Sequence, residues 1–180
     1  MKGTKIIKFI PTLSSNFTPS NNQMKISFLA VGKVHEPYVK DGVDIFLKRI
    51  GYYFPADWKL IASPKNAASL TVNELKKAEA GSILDSLQEE DVLVVLDIKG
   101  KQITSEQLAK FLQQKANESV KNIIFLIGGA YGIDDMILGR ANFIWSLSSL
   151  VFPHQLVRLI LAEQTYRACT IIRNEKYHHS

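Results

Sequence analysis

The chain predicts an α/β domain with a mainly parallel sheet flanked by helices. Short apolar runs alternate with segments of helical spacing along most of its 180 residues. The run VLVVL (Val92–Leu96) is apolar throughout and NIIFLI (Asn122–Ile127) is apolar after its first residue, as in strands covered on both faces. Glycines also stand directly after strand-like runs, at Gly32 and at Gly128-Gly129.

Lys25–Val31 (KISFLAV) combines β-branched and aromatic residues and stops at Gly32, which reads as a first strand. From Pro37 to about Ile50, apolar residues at Tyr38, Val43, Phe46, Leu47 and Ile50 keep helical spacing up to Gly51. Trp58–Ala62 reads as a second strand, followed by the loop SPKNAAS. Thr71–Leu87 reads as a helix whose front half is charged through Glu74, Lys76, Lys77 and Glu79. Val92–Leu96 is the next strand; it stops at Asp97, where IKGK predicts a turn. Ser105–Ala116 is a helix with Thr104 as N-cap and Leu108, Phe111 and Leu112 turned inward. Asn122–Ile127 runs into the glycine pair, Ile133–Leu138 forms a short helix, and Phe143–Leu147 is the last strand. After the loop SSLVF, Pro153 opens the final helix, where its missing N–H costs nothing.

The net charge of +5 is unevenly spread. Residues 1–23 carry Lys2, Lys5 and Lys8 and no acid; removing those three from 22 basic residues leaves 19 against 17 acidic ones, a net of +2. This leader lacks the continuous apolar stretch of a secretory signal and the arginines of a transit peptide. It reads as a disordered extension or as a start placed too early, with a single domain over residues 24–180. A nearly neutral body means that nucleic-acid binding must come from local placement of charge. No apolar run approaches the roughly 18–20 residues of a membrane span, so no membrane partner is expected. The single cysteine, Cys169, excludes an intramolecular disulfide framework and fits a reducing, cytoplasmic setting. Within a helical pattern it reads as a small buried hydrophobe.

Three strand ends lie on the same side of a parallel sheet: residues 96–100, 127–132 and 147–152. Glycines there let a ligand approach the backbone, and such crevices are where open α/β sheets bind ligands. IGGAYG matches neither a dinucleotide fingerprint nor a P-loop. Asp97 caps the next turn or binds a ribose hydroxyl, the cap being the simpler role. Hydroxyls interleaved with apolar side chains over Trp145–Phe152 suit a ligand with an apolar ring and polar edges. The convergence of the three predicts a small-molecule pocket.

Three of the four histidines fall in the last segment, His154, His178 and His179, with Arg158, Glu163, Tyr166, Arg167, Arg173 and Tyr177. Steps of about 100° per residue put His154, Arg158, Thr165 and Cys169 on one face. Leu156, Val157, Ile160, Leu161, Ala168 and Ile171 form an opposite apolar arc, with Arg167 at its border, four residues after Glu163. That arc predicts a dimer face. The histidines do not read as a metal site, because neighbouring His178 and His179 project apart and no Cys or carboxylate lies at ligand spacing. Tyr177 and the flanking basic groups suit a stacked base with phosphates nearby.

The strings VLDIKGK, FLIGGAYG and SLSSLVFPHQLVRLILAEQTYRA…YHH resemble the RlmH family, small SPOUT-class methyltransferases acting on pseudouridine of large-subunit (23S) ribosomal RNA. The resemblance spans Met24 to Ser180. It implies a trefoil-knotted α/β domain, a homodimer whose active sites are completed by the partner, and S-adenosylmethionine as consumed methyl donor, without a metal. It implies methylation at N3 of a pseudouridine in helix 69, on assembled ribosomes. Carried over, the cofactor contacts fall on Leu96, Gly128, Leu147, Ser148, Ser149, Leu150, Val151 and Phe152, with Gly129 added by adjacency. The catalytic set is His178 as base or base-positioner, with His179 as the alternative in that place, Tyr177 stacked on the base, and Arg158 and His154 beside the cofactor loop. The alternatives are a non-catalytic ribosome-binding or assembly factor of the same fold, or a SPOUT enzyme methylating another RNA.

Overall fold

The computed structural model describes residues 23–177. The extension expected over residues 1–23 therefore lies outside the described residues apart from Gln23, as do His178, His179 and Ser180. In chain order the elements are β1 (Lys25–Val31), α1 (Pro37–Ile50), β2 (Ala56–Ile61), α2 (Val72–Leu84), β3 (Val92–Gln102), α3 (Ser105–Asn117), β4 (Asn122–Ile127), α4 (Asp135–Arg140), β5 (Phe143–Ser146) and α5 (His154–Ile172). The five strands form one sheet in the order β2-β1-β4-β3-β5, and every pairing is parallel.

Alternation along the strands divides the core into two layers. Ile26, Phe28 and Ala30 of β1, with Ile123, Phe125 and Ile127 of β4, pack against Ile50 of α1, Leu108 and Leu112 of α3, and Leu161, Ala168 and Cys169 of α5. Leu29, Val31, Ile124, Leu126, Leu93 and Val95 point to the other layer, against Ala80 and Ile83 of α2 and Ile137 of α4. The apolar runs of β3 and β4 are thus explained by cover on both sides.

Several boundaries moved for identifiable reasons. β2 begins two residues early because Ala56 and Asp57 pair with Ile26 and Ser27 of β1, and Lys25 bridges Asp57 at 2.9 Å. α2 starts after a capping box in which Thr71 Oγ1 accepts from the Glu74 amide and the Glu74 carboxylate accepts from the Thr71 amide. α4 begins later than its apolar pattern suggested, because the Asp134 carboxylate accepts from the Met136 amide and sets the cap there. The turn expected at IKGK is a register break inside a longer strand: Trp145 of β5 pairs with both Leu96 and Lys101. Gly100 makes this possible, since a Cβ at that position would sit 2.7 Å from the Trp145 carbonyl carbon.

The face of α5 carrying Arg158, Thr165 and Cys169 is turned into the core. Thr165 satisfies its buried hydroxyl by donating to the Leu161 carbonyl at 2.8 Å. Of the arc assigned to a dimer face, Leu161 and Ala168 are core residues, while Leu156, Val157, Ile160 and Ile171 are half-buried. Small and hydroxyl-bearing side chains let α5 lie between α1 and α3, which a count of apolar residues on a helical wheel does not reveal.

Candidate active site

The loops after β3, β4 and β5 converge on a cleft of about 290 Å³ at the carboxyl edge of the sheet. Leu96, Gly128, Gly129, Leu147, Ser148, Leu150, Val151, Phe152 and His154 line it, so nearly all residues expected at a cofactor pocket meet there. Ser149 lies outside the lining. Ile127, Ile133, Trp145 and Val157 add apolar wall that the motifs did not single out, although Ile133 is the first apolar residue after Gly132.

Local chemistry shapes each wall. Gly128 packs so closely on Ile133 that a Cβ would lie 2.2 Å from its Cδ1, and Gly132 turns the chain at φ +87°. A side chain at either position would force the loop to move. After β5, Ser146 Oγ donates to the Ser148 carbonyl at 2.9 Å and Ser148 Oγ accepts from the Leu150 amide at 2.9 Å, closing a tight turn. Asp97 Oδ1 accepts from the Lys99 amide at 2.8 Å, which is the capping role. Trp145, which lines the cleft, has its Nε1 buried without an acceptor among the described residues.

These walls fit a ligand with a flat ring, hydroxyl edges and acceptor atoms, as S-adenosylmethionine has. Apolar side chains suit a ring, and backbone and serine oxygens suit its polar edges. Among the described residues no group of three His, Cys, Asp or Glu side chains is placed to hold a metal ion.

Two expected catalytic residues are not at the cleft. Arg158 is 2% exposed and serves the backbone: Nη1 donates to the Lys33 carbonyl at 2.9 Å and Nη2 to that of Val31 at 3.4 Å. Burial lowers its pKa, and its Nε has no partner among the described residues. It therefore holds the chain leaving β1, and does not reach outward for a phosphate. Nη1 also lies 3.4 Å from His35 Nδ1, and burial followed by the Arg158 charge lowers the His35 pKa. Tyr177 packs back onto α5: its ring meets Tyr166 at 4.8 Å and Arg167 at 4.9 Å, and its hydroxyl donates to Glu163 at 3.2 Å. Burial, and then the Glu163 charge, push its phenol pKa up. Glu163 and Arg167 form the helix ion pair at 2.7 Å. His178 lies outside the described residues.

Residues 24–178 match a protein-family model described as "Predicted SPOUT methyltransferase". The chain is 45% identical over 156 residues to the "Ribosomal RNA large subunit methyltransferase H" of Cytophaga hutchinsonii, covering 87% of this chain and 100% of that one. It is 41% identical over 158 residues to the protein of the same name from Acetivibrio thermocellus, covering 86% and 99%. In fold it is similar to a crystal structure titled "Probable Methyltransferase from Bordetella pertussis Tohama I", with a TM-score of 0.53 at 10% identity, over 82% of this chain and 96% of that one. The cleft at three parallel strand ends and the match over nearly the whole described chain lead to one assignment: this chain belongs to the SPOUT methyltransferase family.

Proposed function

We propose that the chain is an S-adenosylmethionine-dependent methyltransferase that modifies N3 of a pseudouridine in helix 69 of 23S ribosomal RNA, on assembled ribosomes in the cytoplasm. The observation that carries this reading is the cleft built jointly by the loops after β3, β4 and β5. The relatives named as large-subunit ribosomal RNA methyltransferases support the substrate class.

When bound, S-adenosylmethionine supplies an electrophilic methyl group on a sulfonium. Leu96, Gly128, Gly129, Leu147, Ser148, Leu150, Val151 and Phe152 would hold it, within the trefoil-knotted form of the fold that this class implies. The chain's task is then to bring the base nitrogen into line with that methyl and to remove the N3 proton. His154 at the cleft edge holds a carbonyl or phosphate oxygen of the RNA. Arg158 acts one step back, fixing the backbone at the end of β1. Tyr177 stacks on the base and His178 orients it.

The cleft rim supports a homodimer. Leu150 and Val151 are 68% and 82% exposed, and Ile98 and Tyr131 are 57% and 60% exposed around the same loops. A rim of large apolar residues fits completion of each site by a second copy, which would bring Tyr177 and His178 of one protomer to the cleft of the other.

A thermal-shift titration with S-adenosylmethionine tests the cofactor, because a ligand of the native state must raise its stability. Mass spectrometry of ribosomal RNA after incubation with ribosomes tests the substrate. Absence of a methylated helix 69 pseudouridine, with cofactor binding intact, would point to a different RNA.

A further inference from the structure

Glu79 is a buried acid that the reaction above leaves unused. It lies along α2 and is 6% exposed. Among the described residues its carboxylate has one hydrogen-bond donor, Ser63 Oγ on the loop after β2, at 3.4 Å. On its other side it meets the glycine loop after β4: a Cβ on Gly129 would lie 2.4 Å from Oε2 and 2.8 Å from Oε1. β1 lies between β2 and β4 in the sheet. A carboxyl that touches the loops after both flanking strands therefore stands near the end of β1.

A carboxylate has about four acceptor positions, and the described residues engage one of them, with a long hydrogen bond. No cation among the described residues lies within salt-bridge distance of it. Burial pushes its pKa up, opposed only by the Ser63 hydroxyl. A desolvated acid with spare acceptor capacity, backed against a residue that lines a ligand cleft, is placed to receive a proton or an N–H donor. Other candidate acceptors carry other tasks, His154 at the cleft edge being assigned above to a carbonyl or phosphate oxygen of the RNA. Asp97 caps the Lys99 amide, and Tyr177 is turned onto α5. The Cys169 thiol is buried in the core.

Resting on the reading of function given above, we propose that Glu79 is the acceptor for the imide proton of the base that is methylated. The base enters over Gly129 with its imide edge toward the carboxylate, which Ser63 steadies. The N3–H bond breaks to Glu79, giving a carboxylic acid, and the electron pair left on N3 forms the new bond to the methyl carbon. The methyl–sulfur bond breaks with its pair retained by sulfur, so the sulfonium becomes a neutral thioether. Glu79 then returns its proton to water as product leaves. A carboxyl with an upward-shifted pKa suits this work, because its basicity lies closer to that of the imide.

The test compares the full-length wild-type chain with Glu79→Gln and Ser63→Ala in single-turnover methylation of ribosomes across pH. Calorimetric titration with S-adenosylmethionine runs alongside. Glu79→Gln keeps the side chain's size while removing its charge and its capacity to take up a proton, so cofactor affinity is expected within about twofold of wild type. Its single-turnover rate should fall on the order of 100-fold or more. Ser63→Ala removes the one bond that lowers the Glu79 pKa, so the acid limb of the rate profile should move to higher pH, a shift that a purely structural role would not produce.

A Glu79→Gln rate near wild type, with the same acid limb, overturns the proposal while the methyltransferase reading stands. Loss of cofactor binding in Glu79→Gln also overturns it, assigning the carboxyl to the glycine loop instead. A wild-type chain that binds S-adenosylmethionine yet methylates no ribosomal pseudouridine overturns the reading of function itself, and the proposal with it.

Discussion

Arg158 Nη1 lies 2.9 Å from the Lys33 carbonyl oxygen, so a buried guanidinium on the last helix fastens the chain as it leaves the first strand. Replacing Arg158 with alanine strands the Lys33 and Val31 carbonyls and should cost about 1–3 kcal/mol, read as a lower midpoint in urea denaturation. Lysine at 158 should recover only part of this, because one ammonium does not reproduce a planar fork of donors. Removing the Arg158 charge also removes one of the causes that depress the His35 pKa, so His35 should titrate at higher pH in the alanine variant when followed by NMR. An unchanged urea midpoint in the alanine variant would refute the fastening role.

Gly100 packs on the β5 backbone with no room for a methyl group. Gly100→Ala should separate β3 from β5 at the register break and destabilise the fold by about 1–3 kcal/mol. Because Leu96, Asp97 and Ile98 line the cleft beside this break, S-adenosylmethionine affinity should fall as well. Thermal unfolding with and without the cofactor separates the two effects, and Gly81→Ala, where a Cβ meets nothing within 4 Å, serves as the control.

Burial pushes the Cys169 thiol from 9.0 up to about 12. Above pH 9 the unfolded thiol ionises while the folded one stays protonated, so the unfolded state binds fewer protons. This contribution is present in full below that pH and is lost progressively as pH rises toward 12. At neutral pH the thiol should react with a thiol reagent only at the rate of opening of the core, and faster in proportion as urea is added. Rapid labelling of the native protein would contradict this burial.

Tyr177 is 37% exposed and held by Glu163, Tyr166 and Arg167. Tyr177→Ala should change stability by less than about 1 kcal/mol, leave cofactor binding intact and slow methyl transfer to ribosomes. Tyr177→Phe loses the hydroxyl's bond to Glu163 but keeps the ring, so it should stay close to wild type if stacking is the function. Equal single-turnover rates for Tyr177→Ala and wild type would remove the tail from base recognition.

Much of the architecture was legible because it is local. The apolar runs at Leu93–Val95 and Ile123–Ile127, the Thr104 cap, and the glycines at 128 and 129 each depend on neighbours a few residues away, and each lies where the sequence places it. The three strand-end loops were legible for the same reason: parallel strands put their carboxyl ends on one edge, so Leu96, Gly128 and Phe152 had to meet. Periodicity also showed that the last segment is a helix. It could not show which side of α5 faces inward, because Thr165 and Cys169 pack as readily as leucine once their polar atoms are satisfied or neutral.

The sequence by itself therefore determined the order and kind of the elements, the sheet's parallel character and the position of the cleft. Tertiary structure alone decided what the polar groups do. Arg158 finds its acceptor 125 positions away at Lys33, and Glu79 meets Gly129 across the end of a strand that neither belongs to. A buried charge takes its role from whichever backbone and side chains surround it in space, and sequence spacing does not encode those neighbours.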